Sequence, residues 1–335
     1  MLKPSYAVML GSFRLASDHL APLVALRVDR AKNAGADWAT VTIGRAQAVS
    51  VSAGDPATVE LGWDGDTTLV FTGQVEAVTQ EIAGTTVTAA GSQMTLIRVR
   101  SDRTFTSQSA GQVVSALAGD AGVETGTVED GIDLPAYHVD SARRAWEHCL
   151  GLARRCGFDC YANADGTLVF APFTTLVADK TFRYGAEVLS ASLQRWRPGG
   201  GVTVVPESPA SGQGDDTSAW LVKDPSPYQG EAGGTATLVL SDPLLRTKEA
   251  ADSAAAGLVA FQQRQVVTGD VELMGDPDVT LGQAIALSGM PDDSWNDTYQ
   301  VLAVRHLLDA RRGFRTQAGL GGMPGGLPGA LGGLP

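Results

Sequence analysis

The chain echoes itself. Gly54-Asp55-Pro56-Ala57-Thr58-Val59-Glu60-Leu61-Gly62 is matched by Gly275-Asp276-Pro277-Asp278-Val279-Thr280-Leu281-Gly282. Downstream of each, Gln74-Val75-Glu76-Ala77-Val78 matches Gln300-Val301-Leu302-Ala303-Val304. Each copy closes on a similar strand end, Thr88-Ala89-Ala90-Gly91 and Thr316-Gln317-Ala318-Gly319. Order and approximate spacing are kept, so one supersecondary unit is used twice, near the two ends of the chain. Two similar modules in one subunit give an odd-numbered ring a pseudo-even surface. That is the geometry needed to join rings of different symmetry.

Both modules read as β. In residues 1–104, short alternating runs such as Thr40-Val41-Thr42-Ile43, Thr68-Leu69-Val70-Phe71 and Thr86-Val87-Thr88-Ala89 are separated by turn signals. Asp64-Gly65-Asp66 and Ala83-Gly84-Thr85 are hairpin turns, and Asp55-Pro56 opens a strand where proline costs no ladder bond. Gly35-Ala36-Asp37-Trp38 reads as a loop between strands.

Residues 105–175 change character. Ser107 to Leu117 has helical spacing, with Ser107 or Ser109 as cap. A second helix is expected from about Asp140, capped by Asp140 or Ser141, to Cys156, stopped by Gly157. Its apolar stripe is Ala145, Trp146, Cys149, Leu150 and Leu152, with Arg143, Arg144, Glu147, Arg154 and Arg155 outside. Phe158–Ala162 and Thr167–Phe170 flank Asn163-Ala164-Asp165-Gly166, a hairpin signature. This α+β insert precedes the second module, 176–320, which also holds a long loop, Pro206 to Gly234, and an amphipathic helix, Lys248 to Gln265. The last stretch, 321–335, is too rich in Gly and Pro for helix or central strand. Its Met323, Leu327, Leu331 and Leu334 suit insertion into a groove or along an assembly axis, ordered on assembly. The expected fold class is mainly β with an α+β insert, its two barrel-like modules related by internal duplication.

Bulk properties narrow the function classes. The 335 residues allow two or three domains. A net charge of −12 argues against nucleic acid or an anionic membrane as partner. No segment reads as a signal peptide or a membrane span, so the expected location is the cytoplasm, then an assembled particle. Three cysteines, all between 149 and 160, do not make a disulfide framework.

The order of motifs resembles a known family. The first module carries Leu61-Gly62 and Leu69-Val70-Phe71-Thr72-Gly73-Gln74-Val75-Glu76-Ala77-Val78. The helix–hairpin follows from Ala145 to Phe170, and the end runs from Gly275 to Leu320. Together these are similar to the late control protein D family of contractile phage tails and to the hub part of VgrG spike proteins. The resemblance covers nearly the whole chain. It implies a homotrimeric baseplate hub joining a hexameric tail tube to a central spike, with baseplate wedge proteins around it. Unlike VgrG, the chain shows no oligonucleotide-fold domain or β-helix after Leu320, so the expected spike is a separate protein. The resemblance supplies no pattern for subunit contacts, and interface residues are left unassigned.

Candidate sites are sparse. His148, Cys149, Cys156 and Cys160 lack a C-x-x-C pair, and Cys149 and Cys156 lie on the apolar helix face, so buried free thiols are expected. His138 and His306 have no neighbouring Ser, Cys or paired acid and read as core or surface histidines. Asp276, Asp278, Asp292, Asp293 and Asp297 read as solvated loop acids rather than a cation site. Gly199-Gly200-Gly201 lacks the lysine and strand–loop–helix context of a phosphate loop. No catalytic, cofactor or metal constellation is assigned, and the expected role is structural. Two other classes compete: a tail-associated glycan hydrolase, which needs a carboxylate pair at a cleft, and a free β-rich binding module.

Overall fold

A computed structural model describes residues 2–17, 23–45, 49–197, 199–206, 228–242, 244–245 and 247–323. Most of the 206–234 loop and the tail beyond Met323, on which the groove-insertion expectation rests, lie outside these residues.

The N-terminal strands are β1 (Pro4–Leu10), β2 (Phe13–Ala16), β3 (Leu23–Ala31), β4 (Trp38–Gly44), β5 (Pro56–Trp63), β6 (Asp66–Glu81) and β7 (Gly84–Gly91). The α+β part follows as α1 (Gln93–Arg98), β8 (Arg103–Ser109), α2 (Ala110–Asp120), β9 (Thr125–Val128), β10 (Asp133–Val139), α3 (Ala145–Cys156), β11 (Asp159–Ala162) and β12 (Leu168–Ala171). Then come β13 (Lys180–Arg183), β14 (Val188–Arg195), β15 (Gly201–Val205), β16 (Gly230–Ala232), β17 (Ala236–Ser241), α4 (Lys248–Val266), β18 (Val267–Met274), β19 (Ala284–Ser288), β20 (Thr298–Asp309) and β21 (Gly313–Gly321).

The duplication is visible as topology. The order β3-β4-β7-β6-β5 in the first module recurs as β14-β18-β21-β20-β19 in the second. Even the irregularities recur. Each long strand bulges at the same place, between Val75 and Ala77 opposite β7 and between Val301 and Ala303 opposite β21. A second bulge falls between Leu23 and Ala25 in β3 and between Val188 and Ser190 in β14. A bulge re-aims every later side chain, so shared bulges keep both modules' apolar residues on the core face. Val75 and Val301 are accordingly buried, as is Val304, while Val78 is partly buried.

The register corrects two parts of the sequence echo. Pro56 stands opposite Gln74, and the residue opposite Gln300 is Ala284, not Pro277. The counterparts of Gly54 and Asp55 are therefore Gly282 and Gln283. Both glycines are left-handed, φ +94° and +88°, and the carbonyls of Asp55 and Gln283 accept from Val75 and Val301 N–H. Asp276-Pro277 sits instead in the β18–β19 connection, where Thr316 Oγ1 holds Asp276 from both its N–H and its C=O. At the strand end, Thr88 corresponds to Gly319 rather than Thr316, because Ala77 faces Thr88 as Ala303 faces Gly319.

The two modules are one sheet. Residues Ala303 to Asp309 of β20 pair antiparallel with Ala25 to Ala31 of β3, and this seam joins the halves edge to edge. There are two cores, one around Val8, Val41, Val59 and Phe71, which Leu308 and Phe314 of the second half join across the seam, the other around Val271, Ile285, Tyr299 and Val301.

The third core gathers α2, α3 and the hairpin, and extends to Val202, Val204, Leu245 and the alanines of α4. Residues beyond 175 thus share a core with the α+β part. The helices start later than expected. Ser109, not Ser107, caps α2 with Gln112 in a reciprocal capping box. α3 begins at Ala145, with Glu147 accepting from Arg144 N–H, because Asp140 is spent on a turn closed by Arg143. Gly157 ends α3 at φ +70°, where an added Cβ would lie 2.4 Å from Gly257 Cα of α4.

Candidate functional site: the junction of the three cores

The β3–β4 connection, residues 32–37, is where all three cores meet. Lys32 extends inward and its Nζ donates to Asp159 Oδ2 at 2.8 Å. Arg264 Nη1 of α4 donates to Asp159 Oδ1 at 2.5 Å, and Asn33 Nδ2 reaches the same oxygen at 3.1 Å. Asn33, left-handed at φ +52°, accepts from Cys160 N–H through its side-chain oxygen. Trp146 Nε1 of α3 donates to Ala34 O. Asp159, at the start of the hairpin, is thus the shared acceptor for a first-module strand end and the C-terminal turn of α4.

Arg30 repeats this on the other side. Its Nη2 donates to Ala162 O at 2.8 Å, its Nη1 to Thr280 Oγ1 at 3.0 Å, and its Nε points at Asp37 Oδ2 at 3.4 Å. One guanidinium therefore ties β3 to the hairpin and to the β18–β19 connection of the second module.

These charges are almost fully buried: Lys32 is 8 %, Asp159 2 %, Arg264 6 % and Arg30 4 % exposed. Burial pushes Asp159 up, but the Lys32 and Arg264 charges outweigh it and hold its carboxyl below the ordinary range. Burial pulls Lys32 down against the attraction of Asp159. Groups this deep are tolerable only because each meets an opposite charge; Arg264 Nε is left buried without a hydrogen-bond partner among the described residues.

The seam carries its own polar pairs. Arg305 Nε of β20 meets Asp29 Oδ1 of β3 at 2.5 Å, directly across the seam. His306 is buried, with Nδ1 3.0 Å from Thr316 Oγ1. That hydroxyl gives its only proton to Asp276 O, so His306 Nδ1–H must be the donor. Burial, with Arg30 nearby, pushes His306 down to about 3, and it stays neutral.

The residues weighed from sequence fall elsewhere. His148 is buried, its Nδ1 2.9 Å from Tyr137 OH. Cys149 and Cys160 are buried and Cys156 is half-buried, all as free thiols; burial pushes Cys149 to about 12 and Cys156 to about 11. His138 lies at the surface beside Thr104. Asp276 and Asp278 share Lys180, at 2.8 and 3.0 Å. Asp292, Asp293 and Asp297 are occupied by local turn bonds to Ser294, Asn296 and Thr298. Among the described residues, no three His, Cys, Asp or Glu side chains gather as a metal cluster. Sequence reasoning missed Arg30, Lys32, Asn33, Asp159 and Arg264. Nothing local marks them, because each is an ordinary surface-type residue until the three cores close over it.

The fold defines a class. It is the β-rich fold of phage tail proteins, with an α+β insert, and the likeness runs nearly end to end. The chain superposes on a tail protein from Neisseria meningitidis MC58 with TM-score 0.71 and 14 % identity, covering 95 % of this chain and 96 % of that one. The 43 kDa tail protein of prophage MuSo2 from Shewanella oneidensis gives 0.70 at 12 % identity, covering 94 % and 98 %. An E. coli type VI secretion component, described as structurally similar to T4 bacteriophage tail proteins gp27 and gp5, gives 0.63 at 8 %, covering 96 % and 77 %. No protein-family model and no curated protein matches the chain significantly.

Proposed function

We propose that this chain is the structural hub of a contractile phage tail or tail-like injection system. Three copies form a ring, and the two sheet modules of each copy present six similar faces to a hexameric tail tube. In this reading the ring modules are residues 1–104 and 176–320, the 105–175 insert hangs on them, and 321–335 is a tail. Its partners are the tube protein, a separate spike and the baseplate wedge proteins. The protein is structural, not an enzyme, and belongs with the late control protein D and VgrG hub proteins. The observation that carries the reading is the repetition of a five-strand order, with its bulges at matching places, within a fold shared with tail proteins. Two pseudo-equivalent modules per subunit are what a threefold ring needs to meet a sixfold one. Among the described residues no helix is long and apolar enough to cross a membrane. Light scattering coupled to gel filtration tests the reading: a trimer of the 34.8 kDa chain is expected, and a monomer at every concentration refutes it.

A further inference from the structure

Helices α3 and α4 meet at two glycines. A Cβ on Gly157 would lie 2.4 Å from Gly257 Cα, and one on Gly257 would lie 2.5 Å from Gly157 Cα, so the two backbones are in direct contact. Larger side chains stand around this crossing. Leu150, Arg154 and Phe158 from the α3 side, with Phe261 and Arg264 from α4, line a cavity of about 350 Å³. That is large enough for a side chain and the polar group beside it.

Two features of this cavity call for an anion. Lys32 and Arg264 share the single carboxylate of Asp159, so their buried cluster holds one positive charge in excess. Asp159 is met by Nη1 of Arg264, while Nε has no hydrogen-bond partner among the described residues. A buried N–H without an acceptor is costly, and more so when it belongs to a charged group. Arg154 is exposed and likewise has no ion-pair partner among the described residues. Other exposed arginines, Arg98, Arg103 and Arg143, each have a carboxylate. Two incompletely partnered guanidinium groups on one cavity stand out in a chain of net charge −12. Beside them, Phe261 leaves 51 % of its surface in water.

We propose that this cavity docks a short segment of a partner protein in which an aromatic or aliphatic side chain stands next to a carboxylate. The apolar side chain enters between Leu150, Phe158 and Phe261. The carboxylate meets Arg264 and Arg154, gives the Nε–H its acceptor and offsets the excess charge of the cluster. A carboxylate held by guanidinium groups is the strong, charge-assisted form of hydrogen bond. The occupant is a chain segment rather than a free small acid because the recognition groups reach past the hollow. Arg154 and half of Phe261 face solvent, and a molecule that fills only the cavity leaves them uncovered. Every lining residue comes from one copy, so the site exists whether or not the chain forms a ring.

The test is ligand-observed saturation-transfer NMR on the full chain, with N-acetyl-Phe-Glu-amide and N-acetyl-Glu-Phe-amide as probes. Saturation of the phenyl ring is expected for at least one of them at millimolar concentration. Replacing its Glu by Gln keeps the shape and removes the charge, and should weaken binding about tenfold. Arg154→Ala and Phe261→Ala change exposed side chains and leave the cores intact; each should weaken the charged probe several-fold. Arg154→Ala should also reduce the sensitivity of binding to salt. No saturation by either probe overturns the proposal. Equal binding of the Glu and Gln forms overturns it, because the arginines would then recognise nothing. Binding unmoved by both variants overturns it by placing the peptide elsewhere. Binding of 3-phenylpropionate as tight as that of the charged peptide also overturns it, since the cavity would then serve a free small acid.

Discussion

Acid should loosen this protein through one histidine. His306 titrates near 6.5 when unfolded and is pushed down to about 3 in the fold. A base with a depressed folded value binds its proton only on unfolding, so the unfolded state gains protons as pH falls below about 6.5. Stability is therefore full above that value and lost progressively toward pH 3. Each unit of difference is about 1.4 kcal/mol, so between pH 7 and pH 5 the loss is about 2 kcal/mol from His306 alone. The site has no means of accepting the charge cheaply: Nδ1–H is already committed to Thr316, and Arg30 stands close by. His148, also depressed by burial, adds to the total in the same direction. The clean measurement is thus a difference. His306→Gln, which introduces the residue found at the equivalent Gln80, should remove about 2 kcal/mol of the pH 7 to pH 5 change in urea unfolding free energy. It should leave the contribution of His148 in place. If the variant and the wild type lose the same stability over that interval, His306 is not buried neutral and the account of the seam is wrong.

Other perturbations probe the junction and the cores. Asp159→Ala strands Lys32 and Arg264 without their carboxylate and should cost about 3–5 kcal/mol in denaturant unfolding; a cost under about 1 kcal/mol would mean the cluster is effectively solvated. The same carboxyl, held below its ordinary value, contributes stability above pH 4 or so that disappears as pH falls through its lower folded value, so Asp159→Asn should flatten the acid limb of a stability curve. Val301→Asp buries an unpaired charge in the second core and should leave little soluble folded protein; a soluble, folded variant would contradict the core assignment. Gly73→Ala would place a Cβ 2.1 Å from Ala90 O and should cost about 1–3 kcal/mol by forcing β6 and β7 apart, read as a fall in the urea midpoint.

Much of this architecture was legible in the residues alone. Alternating apolar runs marked strands in both modules, because a half-buried strand must alternate whatever it pairs with. Gly157 and the Asn163–Gly166 turn are local signals, decided within a few residues, and they located the end of α3 and the hairpin closely, whereas the start of α3 falls about five residues later than Asp140 suggested. The Gln74–Val78 and Gln300–Val304 runs revealed the duplication because they sit on the bulged long strands, where packing constrains sequence most. The Gly-Asp-Pro echo misled by seven residues: a turn needs only a glycine and a kink, so similar tripeptides can sit at different turns. What no local pattern could carry was which edges meet. That β20 leaves β19 halfway and takes β3 as partner depends on how two cores dispose their sheets. The burial of Lys32, Asp159 and Arg264 arises in the same way, since charges separated by 105 to 232 residues become a cluster only when three cores close around them. Periodicity is a property of neighbours along the chain, whereas register and burial are set by neighbours across it.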